Sequence, residues 1–393
     1  MTEAAPPQLT LDWLEIRKFR NVEPCRLEFG EGHNVILGIN GTGKTQLLEL
    51  IGALSGADLS FLRTELFEVD IHFALGLAGE QVEVRAELRS PKSNGQTLCR
   101  ATVSRPGGVA TWEERSGEFI DADLVAPLAA RLQSVSVPRW AAARVRRRVL
   151  PRFDEALGYF DSFTRRSEAA PPALAVDGPG GGTVYAPLIE PVVWDGHVLP
   201  LPVDDFEITL GPVQMFAEIA EYTHGGAWMR VRSRAASPRG TRTEYWNPEF
   251  RFARGATVIS HADLSFGEKR LLAFLYYLSV ADGVNPVEPL RHPVVADELT
   301  NGLHRAWVDA CFDKMEGRQT FLATQSPLLL DRIGVDSAKD AQTTFVVCRR
   351  IGSIAEPRLS WSQLTDAEAQ AVAAGFERGR FQMSEILHFE GIW

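Results

Sequence analysis

The chain is poor in cysteine and has no long apolar run. Its 4 cysteines, Cys25, Cys99, Cys311 and Cys348, are far apart and form no CxxC pair, so we expect neither a disulfide framework nor a zinc site. No run of about 18 apolar residues occurs, which argues against a membrane-spanning helix. The first residues also lack the basic start of a secretory signal peptide. We therefore expect a cytoplasmic protein with no membrane partner.

Basic residues are in deficit as well. Lys and Arg number 41 against 51 for Asp and Glu, which gives a formal net charge of −10. Such a charge disfavours a protein that coats nucleic acid through its overall field. A local basic surface stays compatible with it, because salt screens surface charges beyond about 10 Å.

A glycine-rich motif follows a short apolar run. Residues 38–45, Gly-Ile-Asn-Gly-Thr-Gly-Lys-Thr, match GxxxxGK[ST] in full, and a segment with helical spacing comes next. The glycines let backbone N–H groups turn inward around a phosphate. Lys44 can reach the β- and γ-phosphates of a nucleotide, and the Thr45 hydroxyl can bind Mg²⁺. The alternative is a chance glycine-rich turn between a strand and a helix. The residues predicted to line the nucleotide site are Asn40, Gly41, Thr42, Gly43, Lys44, Thr45 and Gln46.

A second apolar segment ends in two carboxylates. It reads Val-Val-Ala-Asp-Glu over residues 294–298. In a P-loop protein Asp297 would hold Mg²⁺ through its water shell, and Glu298 could accept a proton from the attacking water. The alternative is a strand that ends in a solvated acidic turn.

A third motif lies some thirty residues before that segment. It reads Asp-Leu-Ser-Phe-Gly-Glu-Lys-Arg over residues 263–270. Glu268 follows Ser265 by three positions, which is the pattern of a helix capping box. Free N–H groups and the dipole at the same helix start would also attract an anion.

The three motifs together resemble those of the ABC ATPases of the SMC/RecF/OLD group, the non-transporter branch found in DNA repair and anti-phage defence. Residues 264–268 (LSFGE) are similar to the branch's signature, and residues 16–21 (IRKFRN) to its opening strand. Residues 297–304 (DELTNGLH) resemble its Walker B segment and D-loop. Residues 321–327 (FLATQSP) fall where relatives carry a switch histidine. The resemblance covers about residues 9–55 and 260–350.

The resemblance implies an α/β fold, namely a P-loop NTPase head of ABC type with a mixed central sheet, an antiparallel β subdomain and a helical insert. Residues 1–120 would form an N-terminal lobe, 121–260 a helical or irregular insert, and 261–393 a C-terminal lobe. It also implies ATP and Mg²⁺ as ligands. Ser265 and Gly267 would contact the γ-phosphate of ATP held by a second subunit, in a homodimer or higher even oligomer. Glu268 and Arg20 would join the binding residues.

Three departures from the family pattern bear on function. Gln325 stands at the position of the switch histidine; it can hydrogen-bond a γ-phosphate or the attacking water but carries no charge, so slow turnover is expected. The middle of the chain has no heptad pattern for a long coiled coil. The residues after Glu298 lack the acidic clusters of a TOPRIM nuclease, so any nuclease would be a separate chain.

An arginine run contrasts with the acidic composition. Its members lie within fourteen residues that contain no acid, and a second set follows in a strand-like stretch. Both sets are open to two interpretations: a surface that binds the phosphate backbone of nucleic acid, or a solvated face paired with surplus carboxylates. The first set is Arg139, Arg144, Arg146, Arg147, Arg148 and Arg152, and the second is Arg230, Arg232, Arg234, Arg239 and Arg242.

Three functions compete at this point. The first is an ATP-gated dimer that senses or handles nucleic acid, in DNA repair or anti-phage defence. The second is an ATPase subunit that holds or releases a separate effector protein, such as a nuclease or toxin, without binding nucleic acid. The third, a transporter subunit, fits least, because the middle segment is too long and the opening strand is similar to that of the RecF branch.

Overall fold

A computed structural model of the chain describes most of its two ends and short strands between them. The described residues are 8–56, 66–77, 80–90, 97–105, 108–116, 175–177, 183–185, 192–194, 197–199, 206–210, 226–236, 243–260, 263–281, 293–353, 356–379 and 381–393. Residues 117–174, which include much of the expected helical or irregular insert, lie outside them. No helix within these ranges is both long and apolar enough to cross a membrane.

The described residues form strands and helices in a mixed order. The strands are β1 (Leu9–Phe19), β2 (Cys25–Glu28), β3 (His33–Leu37), β4 (Phe67–Leu77), β5 (Glu80–Arg89), β6 (Thr97–Arg105), β7 (Gly108–Ser116), β8 (Ala175–Asp177), β9 (Thr183–Tyr185), β10 (Val192–Trp194), β11 (His197–Leu199), β12 (Phe206–Leu210), β13 (Gly226–Ala236), β14 (Thr243–Arg254), β15 (Thr257–Ser260), β16 (Val294–Asp297), β17 (Thr320–Ala323), β18 (Phe345–Gly352) and β19 (Pro357–Gln363). The helices are α1 (Lys44–Gly56), α2 (Phe266–Ala281), α3 (Arg305–Met315), α4 (Pro327–Leu330), α5 (Ala338–Thr344), α6 (Asp366–Glu377) and α7 (Met383–Phe389).

The central sheet has the order β16-β17-β3-β18-β19. Its first four strands are parallel, and β19 closes the edge antiparallel to β18. Strands buried on both faces are expected to be continuously apolar, and β17, Thr-Phe-Leu-Ala, is buried at every position. A mixed α/β sheet was predicted, and it is confirmed.

A second, antiparallel sheet has the order β2-β1-β4-β5-β6-β7. Its long hairpins β4–β5, β5–β6 and β6–β7 form an antiparallel meander. One hydrophobic cluster joins this sheet to the central one and to α1, since buried Leu14, Ile71, Leu47, Phe321 and Trp361 all belong to it. The predicted antiparallel β subdomain is thereby confirmed.

The chain divides into two compact units. The first comprises Met1–Arg152, Leu290–Asn301 and Val308–Trp393, and the second comprises Phe153–Pro289 and Gly302–Trp307. The second unit contains the four-stranded sheet β12-β13-β14-β15 and helix α2. Within residues 175–260 the described residues lie in strands or in the turn between β14 and β15. The three-part division at residues 120 and 260 stays a prediction.

Candidate functional site

Three loops of the first unit begin side by side at one edge of the central sheet. Parallel strands β16, β17 and β3 are neighbours, and Asp297 is level with Ala323, which is level with Ile36. Loops that follow the carboxyl ends of adjacent parallel strands form the usual ligand crevice of an α/β sheet. The glycine-rich loop, the acidic pair and the switch loop therefore start from the same edge.

The glycine-rich loop requires glycine at its first position. Gly38 has a φ of +143°, and a Cβ placed there would lie 2.4 Å from the carbonyl oxygen of Cys348 and 2.6 Å from Thr42 Oγ1. Thr42, which is buried, donates to the Ile39 carbonyl at 2.7 Å and fixes the turn from within. The loop is thus shaped by its own backbone and by strand β18 beneath it.

Lys44 sits at the start of α1 and is bonded to its own loop. Its Nζ donates to the carbonyl oxygens of Gly38 at 2.7 Å and Ile39 at 3.2 Å, and the residue is only 8% exposed. The Gly43 carbonyl accepts from the Leu47 amide as the helix begins. The ammonium is therefore desolvated and held within the phosphate loop, where it can exchange these carbonyls for phosphate oxygens.

The glycine-rich loop and the acidic strand end meet at Thr45 and Asp297. Thr45 Oγ1 donates to Asp297 Oδ2 at 2.5 Å, although the two residues are 252 positions apart. A hydroxyl and a carboxylate are the oxygen donors that Mg²⁺ takes in P-loop sites. Among the described residues no group of three or more His, Cys, Asp or Glu could hold a metal by itself.

Glu298 adopts a backbone conformation that is rare for its residue type. Its φ is +48°, which costs about 1–2 kcal/mol for a side chain with a Cβ. Two bonds hold it: its amide donates to the Ala323 carbonyl at 2.9 Å, and its carbonyl accepts from the Asn301 amide at 3.0 Å. Strain of this kind concentrates at functional sites. Its effect here is to turn the side chain that follows Asp297 away from the regular strand direction.

Gln325, on the switch loop after β17, contacts both other loops. Its backbone N–H donates to Glu298 Oε2 at 3.5 Å. Its side-chain Nε2 donates to the Gly38 carbonyl at 3.3 Å and to Asn40 Oδ1 at 3.2 Å. The structure therefore brings the predicted switch residue to both the phosphate loop and the predicted base.

The remaining predicted residues of the loop differ in their surroundings. Gly41 has a φ of +81° with open space around it. Gln46 lies on α1, and its Oε1 is buried with no hydrogen-bond partner among the residues that the structure describes. An unpaired buried oxygen beside the phosphate loop is a polar group that a bound ligand or its water could satisfy. A loop with open space, a desolvated cation and paired oxygen donors fits a magnesium nucleotide.

Two residues that sequence reasoning missed support the loop from below. A Cβ at Gly43 would lie 2.7 Å from Leu359 Cδ1 and 3.1 Å from Trp361 Nε1. Trp361 is 1% exposed, and its Nε1 donates to the Thr42 carbonyl at 3.4 Å. Strand β19 therefore forms the floor of the phosphate loop. The alternating pattern of β19 predicts a half-buried strand, but nothing in it indicates which loop lies above.

Within the second unit, the LSFGE segment starts helix α2. Ser265 N–H donates to Glu268 Oε2 at 2.8 Å, and Glu268 N–H donates to Ser265 Oγ at 3.3 Å. Both halves of the predicted capping box are thus present. A Cβ at Gly267 would lie 2.7 Å from the Gly302 carbonyl and 3.0 Å from the Trp307 ring, so this glycine packs against the predicted D-loop of its own chain. Contact of Ser265, Gly267 and Glu268 with a nucleotide stays a prediction.

Arg20 lies on the turn after β1. Its φ is +49°, its Nη1 is 3.5 Å from Glu49 Oε2 on α1, and its guanidinium lies over the Phe19 ring. Glu49 is more than one helical turn beyond Lys44, so these contacts tie Arg20 to the helix, and its role in nucleotide binding stays a prediction. The arginines between residues 139 and 152 lie outside the described residues, as do Arg239 and Arg242. Arg230, Arg232 and Arg234 occupy alternate positions of β13.

The thiols of the first unit are suited to packing. Burial raises the pKa of Cys348 to about 12 and the pKa of Cys25 to about 11. Both stay protonated at neutral pH, and a protonated thiol is neither a nucleophile nor a metal ligand. Cys348 acts instead through its backbone, which lies against Gly38.

The fold and the glycine-rich loop are those of a P-loop protein, and comparisons show which known proteins the chain resembles. A family described as "AAA domain" matches residues 14–121. RecF, the DNA replication and repair protein of Magnetococcus marinus, is 51% identical over 47 residues, which are 12% of this chain and 12% of that protein. RecF of Photorhabdus laumondii is 36% identical over 109 residues, or 26% of this chain and 30% of that protein. The chain thus covers less than a third of the length of either relative.

Solved structures of low identity were also found. One is the Smc head domain of Pyrococcus furiosus, with an extended coiled coil and bound to the C-terminal domain of ScpA. The alignment with it covers 95% of this chain and 100% of the Smc chain, at 12% identity and a TM-score of 0.41. The recombination mediator RecF with ATP covers 81% of this chain and 94% of its own, at 14% identity and a TM-score of 0.38. The sequence matches thus make the chain similar to an AAA domain over residues 14–121 and to RecF proteins over part of its length.

Proposed function

We propose that the protein binds ATP with Mg²⁺ and hydrolyses it, and that it does so as a dimer which senses or handles nucleic acid. The observation that carries the first part is the bond of 2.5 Å between Thr45 Oγ1 and Asp297 Oδ2. It joins a complete phosphate-loop motif to a carboxylate at the end of a neighbouring parallel strand, which is the arrangement that P-loop ATPases need for Mg²⁺.

Each site residue of the first unit would have its own role in ATP binding or hydrolysis. Lys44 would release the Gly38 and Ile39 carbonyls and balance the charge of the β- and γ-phosphates. Thr45 would bind Mg²⁺ directly, and Asp297 would hold it through water. Glu298 would accept a proton from the attacking water. Water attack at the γ-phosphorus breaks the bond to the β–γ bridging oxygen, and ADP leaves.

Dimerisation is proposed from the signature. The P-loop belongs to the first compact unit and LSFGE to the second, and Phe266 within LSFGE is a large apolar residue left 55% exposed. The family resemblance supports a site in which Ser265 and Gly267 of one chain meet the nucleotide of another. Bound ATP would then contact both chains and stabilise a two-fold, self-complementary interface.

Nucleic acid is proposed as the partner because relatives that match the chain in sequence are DNA replication and repair proteins, and because the arginine run contrasts with a net charge of −10. A role in DNA repair or in anti-phage defence would follow. The alternative, control of a separate effector protein, uses the same ATP site. Stimulation of ATP turnover by nucleic acid would support the first. Capture of a nuclease or toxin but no nucleic acid by the Glu298→Gln protein with ATP would support the second.

The test of ATP binding is Lys44→Ala. Removal of the main counter-charge to the phosphates should abolish tight ATP binding, measured by titration with a fluorescent ATP analogue. Lys339→Ala, at an exposed position of α5, is the matched control and should bind as the wild type does. Circular dichroism would verify that both variants are folded. Binding by folded Lys44→Ala within a few-fold of wild type would refute the assignment.

A further inference from the structure

The side-chain amide of Gln325 is held by its nitrogen. Nε2 donates to the Gly38 carbonyl at 3.3 Å and to Asn40 Oδ1 at 3.2 Å. A backbone carbonyl can only accept, so the atom that faces Gly38 must be the nitrogen of the amide. Asn40, which meets the same nitrogen, must then present its oxygen. The orientation of both amides follows from one backbone group.

These two hydrogen bonds determine which atom of the Gln325 side chain is left to bind a reactant. An amide nitrogen carries two hydrogens, and the two acceptors use both of them. No hydrogen bond to Gln325 Oε1 is found among the described residues, and the side chain is exposed on the loop that also meets Glu298. Gln325 can therefore accept a hydrogen bond at the site but has no spare N–H to donate to a γ-phosphate.

Lys44 and Gln325 share one acceptor. Lys44 Nζ is 2.7 Å from the Gly38 carbonyl to which Gln325 also donates. A carbonyl oxygen has two lone pairs and can serve both. When Lys44 turns to phosphate, the Gly38 carbonyl loses that donor and keeps the Gln325 N–H, and a partly buried carbonyl left with no donor would be costly. Nucleotide binding should thus strengthen the hydrogen bond from Gln325 Nε2 to the Gly38 carbonyl.

We propose that Asn40 is a positioning residue: with the Gly38 carbonyl it fixes the Gln325 amide so that Oε1 accepts a hydrogen bond from the attacking water. The inference rests on the ATP hydrolysis proposed above. One hydrogen of the water would then be directed to Glu298, which takes the proton, and the other to Gln325 Oε1. Two fixed acceptors leave a lone pair of the water oxygen aimed at the phosphorus. A glutamine at this position could hydrogen-bond either the γ-phosphate or the attacking water, and the geometry favours the water.

The first test uses the protein without nucleotide. The side-chain NH₂ resonances of Gln325 are assigned in ¹⁵N NMR spectra by their loss in Gln325→Ala. Asn40→Leu, which is similar in size but has no acceptor, should move these resonances. Asn40→Asp, which keeps acceptor oxygens, should leave them hydrogen-bonded and closer to the wild-type position. Resonances that are the same in Asn40→Leu as in wild type would overturn the contact.

The second test measures ATP turnover in a double-mutant cycle. Asn40→Leu should lower kcat about five- to tenfold, the scale of one neutral hydrogen bond, while ATP affinity changes little. In a Gln325→Ala background the same substitution should have no further effect on kcat, because its target is gone. Asn40→Asp should restore kcat but raise KM, since it adds a negative charge near the phosphates.

The outcomes separate the two proposals. Equal losses of kcat in both backgrounds would overturn the positioning role and leave ATP hydrolysis intact. An effect of Asn40→Leu confined to KM would do the same, because it would make Asn40 a binding residue only. Lys339→Ala serves again as control and should match wild type. A wild-type protein that hydrolyses no ATP with Mg²⁺ would refute the proposed function, and this inference with it.

Discussion

At the scale of the single residue, Glu298 carries an unusual combination of features. It has a φ of +48°, it follows the carboxylate that pairs with Thr45, and the Gln325 N–H approaches its side chain. A strained acidic residue beside a phosphate loop is well explained if its position is needed for proton transfer. Ordinary packing would give no reason to keep it, since a glycine would adopt this conformation without strain.

Glu298→Gln should therefore separate binding from chemistry. The amide keeps the size of the side chain but cannot take a proton at neutral pH, so ATP turnover should fall by roughly 10²–10⁴. ATP affinity should stay near wild type, and the dimer should accumulate with ATP in size-exclusion chromatography. Glu316→Gln, at an exposed position after α3, is the control. Unchanged turnover in Glu298→Gln would move the base elsewhere, and Gln325 would be the next residue to test.

At the scale of the element, strand β19 decides how the phosphate loop is supported. Gly41 and Gly43 both have positive φ, at +81° and +90°, but only Gly43 faces Leu359 and Trp361 at close range. The two glycines therefore share the cost of a left-handed backbone and differ in packing alone. This makes them a matched pair for measuring the contribution of the loop's floor.

Gly43→Ala should destabilise the protein more than Gly41→Ala does. Both lose about 1–2 kcal/mol from backbone strain, and Gly43→Ala should lose about 1–3 kcal/mol more through overpacking. Urea denaturation measures the difference in unfolding free energy. Leu359→Ala should cost less unfolding free energy in the Gly43→Ala background than in wild type, because the Leu359 methyl is the atom nearest to the added Cβ. Equal destabilisation by the two glycine variants would show that β19 does not confine the loop.

Some residues of the site could be predicted from the sequence alone, and others could not. Lys44, Thr45 and Asp297 were predicted because a phosphate, Mg²⁺ and the loops that hold them demand fixed residue types at short spacing. The apolar run before the glycine-rich motif and the apolar segment that ends in Asp297 were also apparent, and the structure shows them as parallel strands of the central sheet. Leu359 and Trp361 were not, because their role depends on β19 lying beside β18 and below the loop, a contact over more than 300 positions. The positive φ of Glu298 was also invisible, since it arises from bonds to Ala323 and Asn301.

At the scale of the whole molecule, the arginine run decides between the two proposed functions. If it binds a phosphate backbone, replacement of Arg146, Arg147 and Arg148 by Glu should remove nucleic-acid binding. Any residual binding should depend less on salt, by about 0.9 in the logarithmic slope for each phosphate that the variant no longer neutralises. Fluorescence anisotropy with labelled DNA at several salt concentrations measures both quantities.

The control for that experiment must change the net charge equally. Glu substitutions at the exposed residues Arg305, Arg350 and Arg378 do so at positions that are not part of the run. If binding falls to the same extent in both triple variants, the effect is one of overall charge. If folded protein with the run replaced binds as wild type does, the run is a solvated face, and the alternative of a protein effector gains support.

The order of motifs makes a prediction about assembly. The P-loop at Lys44 and the signature at Ser265 lie about 220 residues apart and in different compact units. We propose that each ATP site needs the P-loop of one chain and the signature of another. A Lys44→Ala chain then still offers a sound signature, and a Ser265→Arg chain still offers a sound P-loop. Their heterodimer would contain one intact composite site and one site damaged on both sides.

Mixing the two variants should therefore restore activity that neither has alone. We expect partial ATP turnover in the mixture, with at most one working site per heterodimer, and almost none in each variant by itself. Different affinity tags on the two chains would verify by co-purification that heterodimers form. Nucleotide titration of the purified heterodimer gives a second readout, because one intact composite site should bind ATP tightly even if turnover requires both sites. Heterodimers that neither hydrolyse ATP nor bind it tightly would refute a signature that acts across the dimer, since the intact P-loop and the intact signature would then have met without forming a site.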